Sequence, residues 1–124
     1  MKRIWESGQL TNHGELSLEL VMKLKNYLEV DNIMLCNNGT VPLQLALRSL
    51  GSDYEVITTP FSYIATSAAI VWQNCKPVFV DIDEEHLCIN EALVEHAITS
   101  RTKAILVTHV FGNPCNIEAL QQIA

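Results

Sequence analysis

The chain has 124 residues, with 8 Lys and Arg against 14 Asp and Glu, so its formal net charge is −6. This length allows one domain with a core of its own. A hydrophobic content of 48% with only 18% charged residues excludes intrinsic disorder. The negative balance and scattered basic residues exclude the electrostatic footprint of a nucleic-acid-binding protein.

Targeting and membrane signals are weak. Met1, Lys2 and Arg3 resemble the start of a signal peptide, but polar residues follow where an apolar core is needed. Residues 56–75 lack charges, but several Thr, Ser, Asn and Gln residues and Pro60 interrupt them, so no membrane span is predicted. The four cysteines form no C-x-x-C pair and are predicted to be reduced and buried, as in a cytoplasmic protein: Cys36, Cys75, Cys88 and Cys115.

The first predicted element is an amphipathic helix over residues 15–29, where leucines recur at every fourth position after a turn-rich lead-in. The apolar residues 33–36 predict a short strand. The run Asn37-Asn38-Gly39-Thr40 ends that strand, and leucines at helical spacing predict a helix up to Gly51.

The order of strand, turn and helix then repeats. The pattern predicts strands at 55–58, 78–80 and 103–107, and helices at 63–72, at 91–98 with Asn90 as its cap, and from Asn116 to the end. This alternation predicts an α/β fold with a mainly parallel sheet and flanking helices. The last helix has no stop signal before Ala124, so we expect a truncated chain.

Ligands of open parallel sheets bind beyond the carboxyl ends of the strands. The run Asn38-Gly39-Thr40 precedes a helix with Pro42 in its first turn, so free amides and the helix dipole there suit a phosphate, with the Thr40 hydroxyl as a further donor. The alternative is a plain strand-to-helix turn in which Asn and Gly supply unusual backbone angles.

Three other strand ends carry candidate residues. Phe61 and Tyr63 could stack on a planar heterocycle, although core packing is the commoner role of an aromatic residue. Asp81 and Asp83 have no partner at metal-site spacing, which favours a capped turn and predicts no metal site. His109 follows an apolar strand, and a lone histidine there is more typical of a core or turn residue than of a catalyst.

The order of these motifs is more specific than any of them alone. Asn38-Gly39-Thr40, the run from Glu55 to Thr66, Pro77 to Asp83, Ile98 to Ile105 and His109-Val110-Phe111-Gly112 follow one another along the chain. In this order they resemble the DegT/DnrJ/EryC1/StrS family of pyridoxal-phosphate-dependent aminotransferases, which act on nucleotide-linked keto sugars. The resemblance implies an incomplete fold-type I large domain, with an N-terminal segment and helix at 1–30 and the first, truncated part of the cofactor-binding domain at 31–124.

The resemblance also implies roles for single residues. Gly39, Thr40 and the amide of Val41 would hold the phosphate of pyridoxal phosphate, and Tyr63 would stack on its pyridine ring. Asn38 stands where the family more often has Ser. The lead-in from Trp5 to Gly14 is similar to a family loop near the substrate.

Transamination requires a lysine that forms a Schiff base and an acid that pairs with the pyridinium nitrogen. The resemblance places both beyond Ala124, and no lysine of this chain matches the family's motif. We therefore expect the chain alone to be inactive. The full-length protein would be a homodimer that transfers an amino group, with glutamate as the expected donor, to a 4-keto-6-deoxy sugar used for O-antigen or related glycans.

Other functions stay open at this point. Some members of the family are dehydratases with histidine in place of the lysine, and nothing before Ala124 separates the two activities. The chain could also be a non-catalytic remnant or a phosphate-binding α/β module. A flavodoxin-like module would make the order of the motifs a coincidence.

Overall fold

The computed structural model describes residues 2–124 and contains two compact units, one ending at Asn37 and one spanning Asn38–Ala124. The first unit has two helices, α1 (Lys2–Ser7) and α2 (Glu15–Leu28). The Arg3 guanidinium donates to the carboxylates of Glu15 and Glu19, which joins α1 to α2. The helix predicted at 15–29 is confirmed, whereas the lead-in interpreted as a loop is helical as far as Ser7.

The strand predicted at residues 33–36 is wrong. No regular secondary structure is assigned there, and no strand among residues 2–124 pairs with this segment. Met34 and Leu35 are exposed. The segment has the composition of a strand, but a strand exists only where a neighbouring backbone accepts and donates its ladder hydrogen bonds.

The second unit is built on a three-stranded parallel sheet of β1 (Glu55–Thr58), β2 (Lys76–Phe79) and β3 (Thr102–Ile105). The strand order is β2-β1-β3, and Ile57 of β1 lies opposite Val78 and Ile105. Four helices alternate with the strands: α3 (Thr40–Ser49), α4 (Ile64–Trp72), α5 (Glu91–Ala97) and α6 (Ile117–Ile123). The predicted α/β class with a parallel sheet is confirmed, with three strands in place of four.

The central strand β1 is covered on both faces, because its four residues are all buried. Successive residues of a strand point to opposite faces. Val56 accordingly packs in a cluster with Leu47 and Ile70, on the side of α3 and α4, and Ile57 packs in a second cluster with residues of α5 and α6. Both side chains are 0% exposed, and burying a residue of this size stabilises the fold by about 1.5–3 kcal/mol.

Side-chain caps fix where two helices begin. Asn90 Oδ1 accepts from the Ala92 amide at 3.1 Å, and Asn116 Oδ1 accepts from the Ala119 amide at 3.1 Å. Both helices start where the sequence predicts, since a short polar side chain satisfies amides that have no partner within the helix. No helix among residues 2–124 has both the length and the apolar character that crossing a membrane requires.

Candidate functional site

An open pocket of about 370 Å³ lies beyond the carboxyl ends of β1 and β3. Its walls come from the segments that follow these two strands, because parallel neighbouring strands deliver their next residues to the same edge of the sheet. The lining residues are Pro60, Phe61, Ser62, Tyr63, Thr108, His109, Val110 and Phe111. The pocket thus unites two of the four predicted strand ends.

Three aromatic residues, Phe61, Tyr63 and Phe111, contribute to the wall of this pocket. Phe61 and Phe111 meet edge to face, with ring centroids 6.4 Å apart and planes at 78°. Tyr63 precedes α4 and is 80% exposed, so it is not a core aromatic. An exposed ring beside other rings suits a planar heterocycle, as the sequence suggests for this position.

The backbone of Phe111 is in the left-handed conformation, with φ 54° and ψ 20°. This conformation disfavours any residue with a Cβ by roughly 1–2 kcal/mol. Phe111 is nevertheless 84% exposed, so burial of its ring does not compensate for the strain. Strained residues of this kind persist where the surrounding structure over-determines them.

Hydrogen bonds within the loop at residues 108–115, and to it, hold the backbone of Phe111 in this conformation. Within it, the Cys115 thiol donates to the Thr108 carbonyl at 3.3 Å and the Asn113 amide donates to the Val110 carbonyl at 2.9 Å. From outside the loop, the Cys88 thiol donates to the Asn113 carbonyl at 3.4 Å. Burial raises the pKa of the Cys115 thiol to about 11, so it remains a protonated donor at neutral pH.

The turn before α3 presents paired backbone amides. Asn38 Oδ1 accepts from the amide of Thr40 at 3.0 Å and from the amide of Val41 at 3.1 Å. These two amides are the donors that the resemblance assigns to a phosphate. In this structure both amides donate to the same uncharged oxygen, Oδ1 of Asn38, so both donors point at one acceptor position.

Gly39 does not supply an unusual backbone angle, so that part of the plain-turn interpretation is wrong. Its φ of −76° and ψ of −19° are ordinary helical values. A Cβ built on it would meet no heavy atom of the described residues within 4 Å. What glycine contributes here is open space beside the two amides.

The aspartates after β2 form a capped turn, as predicted. Asp83 Oδ1 accepts from the amides of Glu85 and His86 and lies 3.0 Å from the His86 ring, and these contacts with His86 lower the pKa of Asp83. Asp81 Oδ1 accepts from the Ile82 amide at 2.8 Å. No group of three His, Cys, Asp or Glu side chains in the described part of the chain could hold a metal ion.

The sequence favoured a core or turn role for His109 and gave no functional role to Phe111. The structure places His109 in the pocket wall, with its Nδ1 accepting from the Cys115 amide at 3.0 Å. The signal for Phe111 was its position directly after an apolar strand, beside His109. The predicted phosphate-binding residues do not line this pocket: Gly39, Thr40 and Val41. They lie at the start of α3. Helix α3 packs against α4, which begins directly after Tyr63.

Residues 1–124 match the family model of the DegT/DnrJ/EryC1/StrS aminotransferase family. The chain is 45% identical over 124 residues to dTDP-4-amino-4,6-dideoxy-D-glucose transaminase of Escherichia coli, covering 100% of this chain and 33% of the relative. It is 46% identical over 121 residues to the Shigella dysenteriae protein of the same name, covering 98% and 33%. The chain therefore spans about a third of the length of these relatives.

Solved structures agree with this match. NtdA from Bacillus subtilis, crystallised with bound cofactor PMP, superposes with a TM-score of 0.92 at 30% identity, covering 99% of this chain and 28% of that one. DesI, crystallised in the presence of its TDP-sugar product, superposes with a TM-score of 0.88 at 32% identity, covering 99% and 31%. This chain's fold is thus found within larger proteins.

Proposed function

Because the chain belongs to the DegT/DnrJ/EryC1/StrS aminotransferase family, we propose that it forms the amino-terminal part of the cofactor-binding domain of a pyridoxal-phosphate-dependent sugar aminotransferase. The observation that carries this proposal is the pair of amides of Thr40 and Val41, which converge on one acceptor position beside the open space at Gly39. A phosphate oxygen is a stronger acceptor at a helix start than the uncharged Asn38 oxygen, because it carries charge.

The residues present fit the cofactor in three ways. The amides of Thr40 and Val41 would hold its phosphate, with the Thr40 hydroxyl as a further donor. The exposed ring of Tyr63 would pack on its pyridine ring. The edge-to-face pair of Phe61 and Phe111 would exclude water from one side. When bound, pyridoxal phosphate serves as the electron sink and amino-group carrier of transamination.

The chain's own lysines do not reach the pocket. Lys76 bonds to Glu55 at 3.1 Å, and Lys103 lies 5.7 Å from the centre of the Tyr54 ring; both lie at or near the amino ends of their strands, away from the pocket. In the described part of the chain, no lysine lines the pocket wall. We therefore propose that the chain alone does not transfer amino groups. Transfer by the chain that is abolished by Lys103→Ala would overturn this.

The proposed substrate class is a nucleotide-linked 4-keto-6-deoxy sugar, with glutamate as the amino donor and a homodimer as the functional assembly. Support comes from the relatives at 45–46% identity, which are transaminases of a dTDP-linked 4-amino-4,6-dideoxy sugar. The alternative is a non-catalytic, phosphate-binding α/β module, which the absence of a lysine from the pocket wall favours.

A titration with pyridoxal phosphate tests the cofactor proposal. Gly39→Val fills the open space beside the amides without requiring a strained φ, so we expect an unchanged unfolding midpoint and an affinity at least tenfold weaker. Pro42→Ala, in the first turn of α3, is the matched control and should bind like the unaltered protein. Equal affinity in Gly39→Val and the unaltered protein would contradict the proposal.

A further inference from the structure

His109 makes one hydrogen bond that fixes its protonation pattern. The Cys115 backbone amide donates to Nδ1 at 3.0 Å. A backbone N–H can only donate, so Nδ1 must act as an acceptor and carry no proton. The proton of the neutral ring is therefore on Nε2.

The second ring nitrogen is available to a ligand. Among residues 2–124, Nε2 of His109 has no hydrogen-bond partner, and His109 is one of the residues that line the pocket. The other polar lining side chains are less directed. The Ser62 hydroxyl donates to the Tyr63 carbonyl at 3.4 Å, and the hydroxyls of Tyr63 and Thr108 can rotate. Nε2–H is the donor whose position the fold fixes most firmly.

The loop that carries His109 is tied at several points, so the donor is positioned before any ligand arrives. The Gly112 amide donates to the His109 carbonyl at 3.3 Å, and the Asn113 side-chain amide donates to the His86 carbonyl at 3.1 Å. The thiols of Cys88 and Cys115 add two further bonds to loop carbonyls. A donor held in this way loses little conformational entropy when it binds a ligand.

We propose that His109 is a cofactor-binding residue that donates its Nε2–H to the ring oxygen of pyridoxal phosphate. The inference rests on the proposed function. The aromatic wall of Phe61, Tyr63 and Phe111 suits a planar ring, and a single fixed N–H among these rings suits an oxygen on that ring's edge. Because the oxygen of this ring ionises, a hydrogen bond to it favours its anionic form.

Two substitutions separate this role from a purely structural one. His109→Asn places an amide oxygen near the position of Nδ1, so it keeps the acceptor for the Cys115 amide and removes the donor in the pocket. His109→Gln places an amide N–H near the position of Nε2, so it keeps the donor and removes the acceptor. His96→Asn, at a histidine of α5 that does not line the pocket, is the matched control.

The measurements are the dissociation constant for pyridoxal phosphate, the absorption spectrum of the bound cofactor and the unfolding midpoint. We expect His109→Asn to keep the midpoint but to weaken binding roughly tenfold and to reduce the band of the ionised ring oxygen. We expect His109→Gln to lower the midpoint but to keep affinity and spectrum near those of the unaltered protein, and we expect His96→Asn to leave both unchanged.

The opposite pattern overturns the inference. If affinity follows stability, so that Asn binds like His and Gln binds weakly, His109 is a loop-positioning residue only. If neither substitution changes affinity or spectrum while Gly39→Val still weakens binding, the proposed function stands and the inference about His109 is wrong. If the unaltered protein and Gly39→Val bind pyridoxal phosphate equally, the proposed function itself fails.

Discussion

Replacement of Asn38 by Ala tests whether a phosphate and a side chain compete for the same two amides. In the structure Asn38 Oδ1 accepts from Thr40 at 3.0 Å and from Val41 at 3.1 Å, and so caps α3. Loss of such a cap lowers the free energy of unfolding by about 1 kcal/mol. We therefore expect Asn38→Ala without ligand to be less stable by this amount.

The same substitution should strengthen cofactor binding. A phosphate that takes the two amides must displace the Asn38 oxygen, so the liganded state does not contain the cap and does not lose it on substitution. The free energy lost by the unliganded protein then appears as a gain in affinity. About 1 kcal/mol corresponds to roughly a fivefold lower dissociation constant.

Urea unfolding with and without pyridoxal phosphate, together with a titration, measures both quantities. Asn38→Ser is the control, because Ser caps helices about as well as Asn and should change stability and affinity little. If Asn38→Ala is less stable and also binds pyridoxal phosphate more weakly, the phosphate and the Asn38 oxygen do not compete for the two amides. In that case Asn38 would contribute to the site directly.

Substitutions at three further positions test the packing of the second unit. Tyr54→Phe removes the hydroxyl that donates to the Leu47 carbonyl at 2.6 Å, and urea unfolding should show a free energy of unfolding lower by about 1 kcal/mol. In a spectroscopic titration of the unaltered protein, the buried Tyr54 should ionise only near pH 12. The Thr99 hydroxyl and Lys76 lower the pKa of Glu55, so the ionised side chain stabilises the fold above the ordinary carboxyl pKa of about 4.3. Glu55→Gln should therefore lower the unfolding midpoint at neutral pH. The difference between the two proteins should vanish on acidification through the lowered pKa. Phe111→Gly should be more stable than Phe111→Ala by about 1 kcal/mol, because φ is positive at this position and glycine tolerates a positive φ. At ordinary backbone angles the alanine variant is the more stable of the two. Equal stabilities would contradict the strain inferred for this loop.

Local signals explain what the sequence could predict. The leucine spacing that defines α2, and the Asn side chains that cap α5 and α6, act within a few residues, so their structural consequences can be inferred without the rest of the fold. The buried strand β1 was equally clear, because a parallel strand covered on both faces is continuously apolar apart from its ends.

Contacts between distant residues explain what it could not predict. Residues 33–36 have the composition of a strand, but strand formation depends on a partner backbone that the segment's own sequence does not specify. The left-handed conformation of Phe111 depends on bonds such as that from the Cys88 thiol to Asn113, 25 residues away. The neutral tautomer of His109 likewise depends on where the Cys115 amide lies.

The candidate site combines both kinds of information. The turn at Gly39 was identified because helix starts bind anions. The structure shows ordinary helical backbone angles at Gly39, and it shows open space where a larger residue would place its side chain. Tyr63 was identified by resemblance, and its exposure agrees with a ligand-facing ring. The proposed sugar substrate could not be inferred from the residues near these strand ends, because none of these residues is specific for a sugar.

A backbone amide NMR titration of the protein with pyridoxal phosphate tests the proposed cofactor site most directly. We expect the largest shift changes at Thr40 and Val41 and at the segments 59–63 and 108–113. We expect inorganic phosphate to reproduce only the changes at Thr40 and Val41. Changes confined to other parts of the chain, or none at saturating cofactor, would contradict the assignment of the cofactor site.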